Sequence, residues 1–170
     1  MNKFIASLAA SALMLLTPTA AEAVTRDAFI ERLREIGVTF TSGDCNDGMG
    51  SYKPGPNILC INDQLFAAGQ SDLLDETLTH EAVHVVQDCM DPGGFLSDSL
   101  TPIITSLEES DVDTDGLKDY VSKNLRPTYI EFLNGIENYV VKTAEIEAYS
   151  LESDPDLVYK MLEAACLNNQ

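Results

Sequence analysis

The segment His80-Glu81-Ala82-Val83-His84 places the tightest constraint on how this 170-residue chain can fold, because its two histidines are the only two in the sequence. Residues four apart share one face of a helix. The flanks are helical in character. Ser71 is a good N-cap, with Asp72, Asp75 and Glu76 in the first turn, where the helix dipole favours negative charge. Leu74, Leu78, Ala82 and Val85 recur at helical spacing, and Asp91-Pro92-Gly93-Gly94 is a strong stop. The spacing predicts a helix over Asp72–Cys89 with two imidazoles one turn apart. Such a pair suits one zinc ion, and Glu81 beside it suits a carboxylate that takes a proton from water. An ordinary surface helix with two histidines is the plain alternative.

A catalytic zinc site takes three protein ligands and keeps one position open. With no third histidine, the remaining ligand must be Cys, Asp or Glu. The metzincin pattern needs glycine at position 87 and histidine at position 90; the chain has Gln87 and Met90, which excludes that subclass. Cys89 lies five residues past His84 and is turned off the ligand face. A downstream helix is predicted over roughly Pro127–Ser153, with an apolar stripe of Leu133, Val140, Ala144, Ala148 and Leu151. Glu145 and Glu147 flank that stripe on opposite sides at similar angular distance, so periodicity leaves the choice between them open. A solvated flank position is the plain reading of either, and the expected one for Glu147.

His80-Glu81-x-x-His84 followed by Glu145-x-x-Ala148 resembles the gluzincin class of zinc metallopeptidases. There a later helix supplies a glutamate ligand, often followed three residues on by a small residue. The resemblance covers these two helices. It implies Zn²⁺ held by His80, His84 and Glu145, Glu81 as general base, and a peptide or protein substrate. Tyr149 stands where many relatives carry Asp or Asn to orient a zinc histidine. The class also binds substrate backbone along an edge strand near the metal, and Asn57–Ile61 is the candidate here, with a covered core strand as the equal alternative. No histidine remains for the oxyanion, so a tyrosine is expected, with Tyr52, Tyr139 and Tyr149 as candidates. The implied fold is α+β and mostly helical: a minimal zincin-like domain with a short antiparallel sheet beside the active-site helix. The other functional reading is a non-catalytic exported domain that keeps zinc for stability or binding, but such a site has no use for Glu81.

Residues 1–23 read as a signal peptide, with Lys3, the apolar run Phe4–Leu16 and the small-x-small site Ala21-Glu22-Ala23. The expected mature chain, 24–170, is one domain in size, secreted or periplasmic, with no later segment apolar enough to span a bilayer. Four cysteines in an exported chain read as two disulfides. Cys45–Cys60 and Cys89–Cys166 is the favoured pairing, the second tying the motif helix to a C-terminal helix predicted near Asp156–Asn168. The 28 acidic against 10 basic residues argue against nucleic acid and anionic membranes.

Elsewhere, Thr25–Ile36 reads as a helix ended by Gly37, Val38–Phe40 as β-prone, Ser42–Pro56 as loop and Asn57–Asn62 as a strand. A short helix is expected after Pro102. Asp111-x-Asp113-x-Asp115-Gly116 resembles the start of a calcium loop, though Ser122 stands where an EF-hand has its bidentate glutamate. An acidic solvated turn is the alternative.

Overall fold

The computed structural model describes residues 23–45, 48–67, 69–91 and 99–167. Almost all of the predicted signal peptide, and the Pro92–Gly94 stop, lie outside the described residues. Helix α1 (Arg26–Glu35) is capped by Thr25, whose hydroxyl accepts from the Ala28 N–H, and it buries Phe29 and Leu33. Gly37 follows it at φ 96°, a left-handed conformation that glycine adopts without steric cost.

Three short strands come next: β1 (Thr39–Gly43), β2 (Gly50–Lys53) and β3 (Ile58–Asn62), in the spatial order β1-β3-β2. β1 pairs with β3 in parallel and β2 pairs with β3 antiparallel. The sheet is therefore mixed, not antiparallel as expected. The segment expected to be loop contributes β2 and the end of β1. β3, expected at an edge, lies in the centre with both its edges paired, so it has none left for a substrate. Local composition could not anticipate this, because strand order depends on which partner each strand meets across the sheet.

Helix α2 (Ser71–Cys89) carries the motif and is the spine of the fold. It starts one residue earlier than expected, so Ser71 is its first helical residue and Gln70 takes the cap position. The helix packs against β2 on one side and against α6 (Tyr139–Leu151) and α7 (Pro155–Leu162) on another. Between them lie α3 (Ile103–Glu108), α4 (Asp115–Asn124), a 3₁₀ turn at Pro127–Tyr129 and α5 (Ile130–Asn134). The single helix expected over 127–153 is thus broken. Asn138 caps a new start, its side chain accepting from the Val140 and Val141 N–H groups. The C-terminal helix follows Asp154, which caps it, and ends in a π-helical turn at Glu163–Leu167.

One apolar core joins α1, the sheet, α2, α6 and α7 through residues such as Leu33, Leu59, Val83, Leu151 and Leu162. Both disulfides form as favoured: Cys45–Cys60 and Cys89–Cys166. The second ties the end of α2 to the last turn of the chain. Closing a loop of 77 residues stabilises the fold by about 4 kcal/mol in the chain-entropy model. The two bridges fit an extracellular or periplasmic protein, and among the described residues no helix is long and apolar enough to cross a membrane.

Candidate metal centre

Every residue of α2 from Thr77 to Asp88 is buried, and six of the polar ones are Thr77, Thr79, His80, Glu81, His84 and Gln87. Polar groups lose water on burial and must find partners. Where those partners lie defines the site.

His80 and His84 turn their Nε2 atoms toward one carboxylate on α6, that of Glu145. The separations are 3.4 Å from His80 Nε2 to Glu145 Oε2 and 3.5 Å from His84 Nε2 to Glu145 Oε1. All three ligand atoms lie within 4.8 Å of one another. Donors on a tetrahedral ion with bonds of about 2.1 Å stand roughly 3.4 Å apart, so these two imidazoles and one carboxylate are close enough together to hold one metal ion. The three residues left open by the sequence as Glu145 or Glu147 plus two histidines are therefore His80, His84 and Glu145.

Glu147 is not the solvated residue expected. It is 1% exposed, and its carboxylate accepts from the N–H groups of Ile103 (2.7 Å) and Ile104 (2.8 Å) and from Gln87 Nε2 (2.9 Å). The break between α5 and α6 and the docking of α3 against α6 bury this face of the helix. Gln87 in turn meets His84 Nδ1 through its Oε1 at 2.8 Å. The first histidine has a separate support. Glu152, seven residues after Glu145, lies 3.4 Å from His80 Nδ1, a close contact that is not aligned as a hydrogen bond. Glu152 is held by the Tyr129 hydroxyl at 2.7 Å and approached by Arg126 at 3.7 Å, and Arg126 is paired with Glu76. Glu152, rather than Tyr149, is thus the acid beside His80 Nδ1. Tyr149 instead lays its ring beside His80, centroids 4.4 Å apart, and stacks on Tyr129 at 4.0 Å.

Glu81 faces the same cleft, about 590 Å³ in volume, between β2 and the α5–α6 wall. β2 runs directly over it. A Cβ at Gly50 would lie 2.7 Å from Thr77 Cγ2 and 2.8 Å from Glu81 Oε1, so only glycine lets the strand pass this close. The outer edge of β2 has no strand partner among the described residues and flanks the cleft. Of the three tyrosines considered, Tyr149 and Tyr52 line the cleft, but the Tyr52 hydroxyl donates to Asp88 at 2.6 Å. Tyr139 is 78% exposed and is not part of the cleft wall.

The metal-free electrostatics follow from burial among acids. Burial raises the Glu81 carboxyl to about 7, with Glu145 adding to the rise while His80 and the Tyr52 N–H oppose it. For His80 burial works against the charged ring, but Glu145, Glu152 and Glu81 outweigh it and raise the imidazole to about 9. His84 is lowered by burial and by the neighbouring His80 charge. Burial pushes Tyr149 up to about 12, so its hydroxyl stays a donor. The protonated His80 ring and the Glu145 carboxylate thus favour each other when no metal is bound.

The aspartates of the calcium-like segment do not form a comparable cluster. Among the described residues, His80, His84 and Glu145 are the group of three metal-ligating side chains that converges. Asp113 accepts from the Asp115 N–H and opens α4, while Lys118 pairs with Glu108. The segment is an acidic turn built by local bonds.

Sequence reasoning passed over Gln87, Glu152, Tyr129 and Gly50. A signal existed for the first two. Gln87 is three residues from His84 and Glu152 is seven from Glu145, both spacings that return to the same helix face. Gly50 and Tyr129 carried none, because they reach the site from other elements. No known protein family, curated protein or solved structure matches this chain.

Proposed function

We propose that this chain is an exported zinc metallopeptidase of gluzincin type. The observation that carries the reading is the meeting of His80, His84 and Glu145 from two helices, with Glu81 in the same cleft. Two imidazoles and a carboxylate are a catalytic zinc set that leaves a position open. When bound, zinc would polarise the scissile carbonyl and lower the pKa of water toward neutrality. Glu81, raised to about 7, is poised to take a proton from that water and hand it to the leaving amine. Tyr149, which lines the cleft beside His80, is the proposed donor to the oxyanion. The free edge of β2 replaces Asn57–Ile61 as the strand along which an extended peptide would pair.

The test is Glu81→Gln in the purified mature protein. The amide keeps shape but accepts no proton. Zinc content by elemental analysis is expected to stay at one per chain, while cleavage of an unstructured protein falls by about 10²–10⁴. Equal turnover in the variant would overturn the role of Glu81. Bound zinc without cleavage of any peptide by the wild type would leave the non-catalytic domain as the function.

A further inference from the structure

We infer that Gln87 and Glu147 form a relay that selects the tautomer of His84, holding its proton on Nδ1 and leaving Nε2 as a bare lone pair. The inference rests on the metal-site reading for its purpose, but its first test needs no metal.

The hydrogen-bond geometry leaves little freedom. Gln87 is fully buried, and its amide nitrogen lies 3.0 Å from the Ala144 carbonyl and 2.9 Å from Glu147 Oε2. Both neighbours are acceptors, so the NH₂ group must stand there and the carbonyl Oε1 must face His84 Nδ1 at 2.8 Å. A carbonyl oxygen only accepts. His84 Nδ1 must therefore carry a proton, and a neutral imidazole carries only one.

Glu147 anchors the other end. Its carboxylate receives the Ile103 N–H, the Ile104 N–H and the Gln87 amide, three donors on an acceptor-only group. An amide at this position would turn its NH₂ toward a donor in either orientation. The carboxylate is thus specified by chemistry and not merely by shape. Without the relay, His84 has a competing arrangement. Glu145 Oε1 stands 3.5 Å from Nε2 and would draw the proton there, which closes that nitrogen to a metal. The relay opposes that arrangement: two buried polar side chains, Gln87 and Glu147, and two backbone N–H groups of α3 act in series on one ring nitrogen. Gln87 and Glu147 are positioning residues: neither supplies an atom to the ligand cluster, and Gln87 reaches only the far nitrogen of His84.

The chain has two histidines, so ¹⁵N-imidazole NMR reads each ring separately. In the metal-free wild type, His84 is expected to show the Nδ1–H tautomer. Gln87→Met, which fills the space without either bond, is expected to move the proton to Nε2. The same variant should lose zinc at lower chelator concentration, with affinity down by about 10–100-fold. Glu147→Gln should shift both readouts in the same direction. A wild-type His84 protonated on Nε2 overturns the relay. So does a folded Gln87→Met protein with unchanged tautomer and unchanged zinc affinity. Should neither variant fold, the wild-type spectrum decides alone. A wild type that binds no zinc removes the metal reading, while the tautomer measurement still stands or falls by itself.

Discussion

Gly50 is where a single missing methyl decides the position of the Glu81 carboxylate, the proposed general base. β2 passes over Thr77 and Glu81 at a separation that a side chain would not permit. Gly50→Ala must push either the strand outward or the Glu81 carboxylate aside. The candidate metal ligands His80, His84 and Glu145 lie on α2 and α6 and are not among the atoms the new methyl would meet. We expect hydrolysis to fall by at least about tenfold, as for a misplaced general base, with zinc still bound. Steady-state kinetics beside elemental analysis checks this; full activity in a folded Gly50→Ala protein would show that Glu81 tolerates displacement.

At the scale of the element, α6 carries two glutamates two residues apart with opposite duties. Glu145 faces the histidines from the rim of the cleft, while Glu147 is sealed inside against α3. Glu145→Ala should therefore lose the metal but cost the metal-free fold little, since it removes an ion-pair partner of His80 at the cleft rim and no acceptor of a buried backbone N–H. Glu147→Ala should damage the fold itself. It strips two backbone N–H groups and one amide of their acceptor in a buried place, at a cost of about 1–3 kcal/mol for each group left unmade. Urea melts of the two variants without metal separate these outcomes. An equally destabilised pair would mean that Glu145 is also part of the structural framework.

The whole molecule folds its acidity around this centre, and its stability without metal should depend on pH accordingly. His80 is raised from 6.5 to about 9 in the folded state. A group raised on folding contributes stability that is complete below its unfolded pKa and lost as pH rises through the folded one. Glu81, raised to about 7, contributes a similar loss that ends near there, and His84, being lowered, titrates below 6.5. From pH 7 to 9 the His80 loss remains, so the chelated protein should lose about 2 kcal/mol across that window. Zinc takes the place of the proton, so the loaded protein should not show the decline. Thermal melts across the window, with and without chelator, test both statements; a metal-free Tm that holds steady would contradict the field assigned to the three acids.

The helix of the motif, the pairing of four cysteines and the mostly helical α+β character were legible in the sequence. The reason is a pattern in the chain itself: a period of 3.6 residues, a short Cys45–Cys60 loop that leaves Cys89 and Cys166 for each other, and turn residues that punctuate the chain. His80, His84 and Glu81 could be named because their relation lies within one helix. Tertiary structure alone decided the rest. Glu145 and Glu147 are indistinguishable by periodicity, and the difference between ligand and buried anchor arises only when α3 docks on one face of α6. The order β1-β3-β2 moves the free edge from β3 to β2 because pairing is a contact between distant segments. Gly50 over Glu81, Gln87 against Glu147 and Tyr129 behind Glu152 are likewise meetings of separate elements, which local periodicity does not encode.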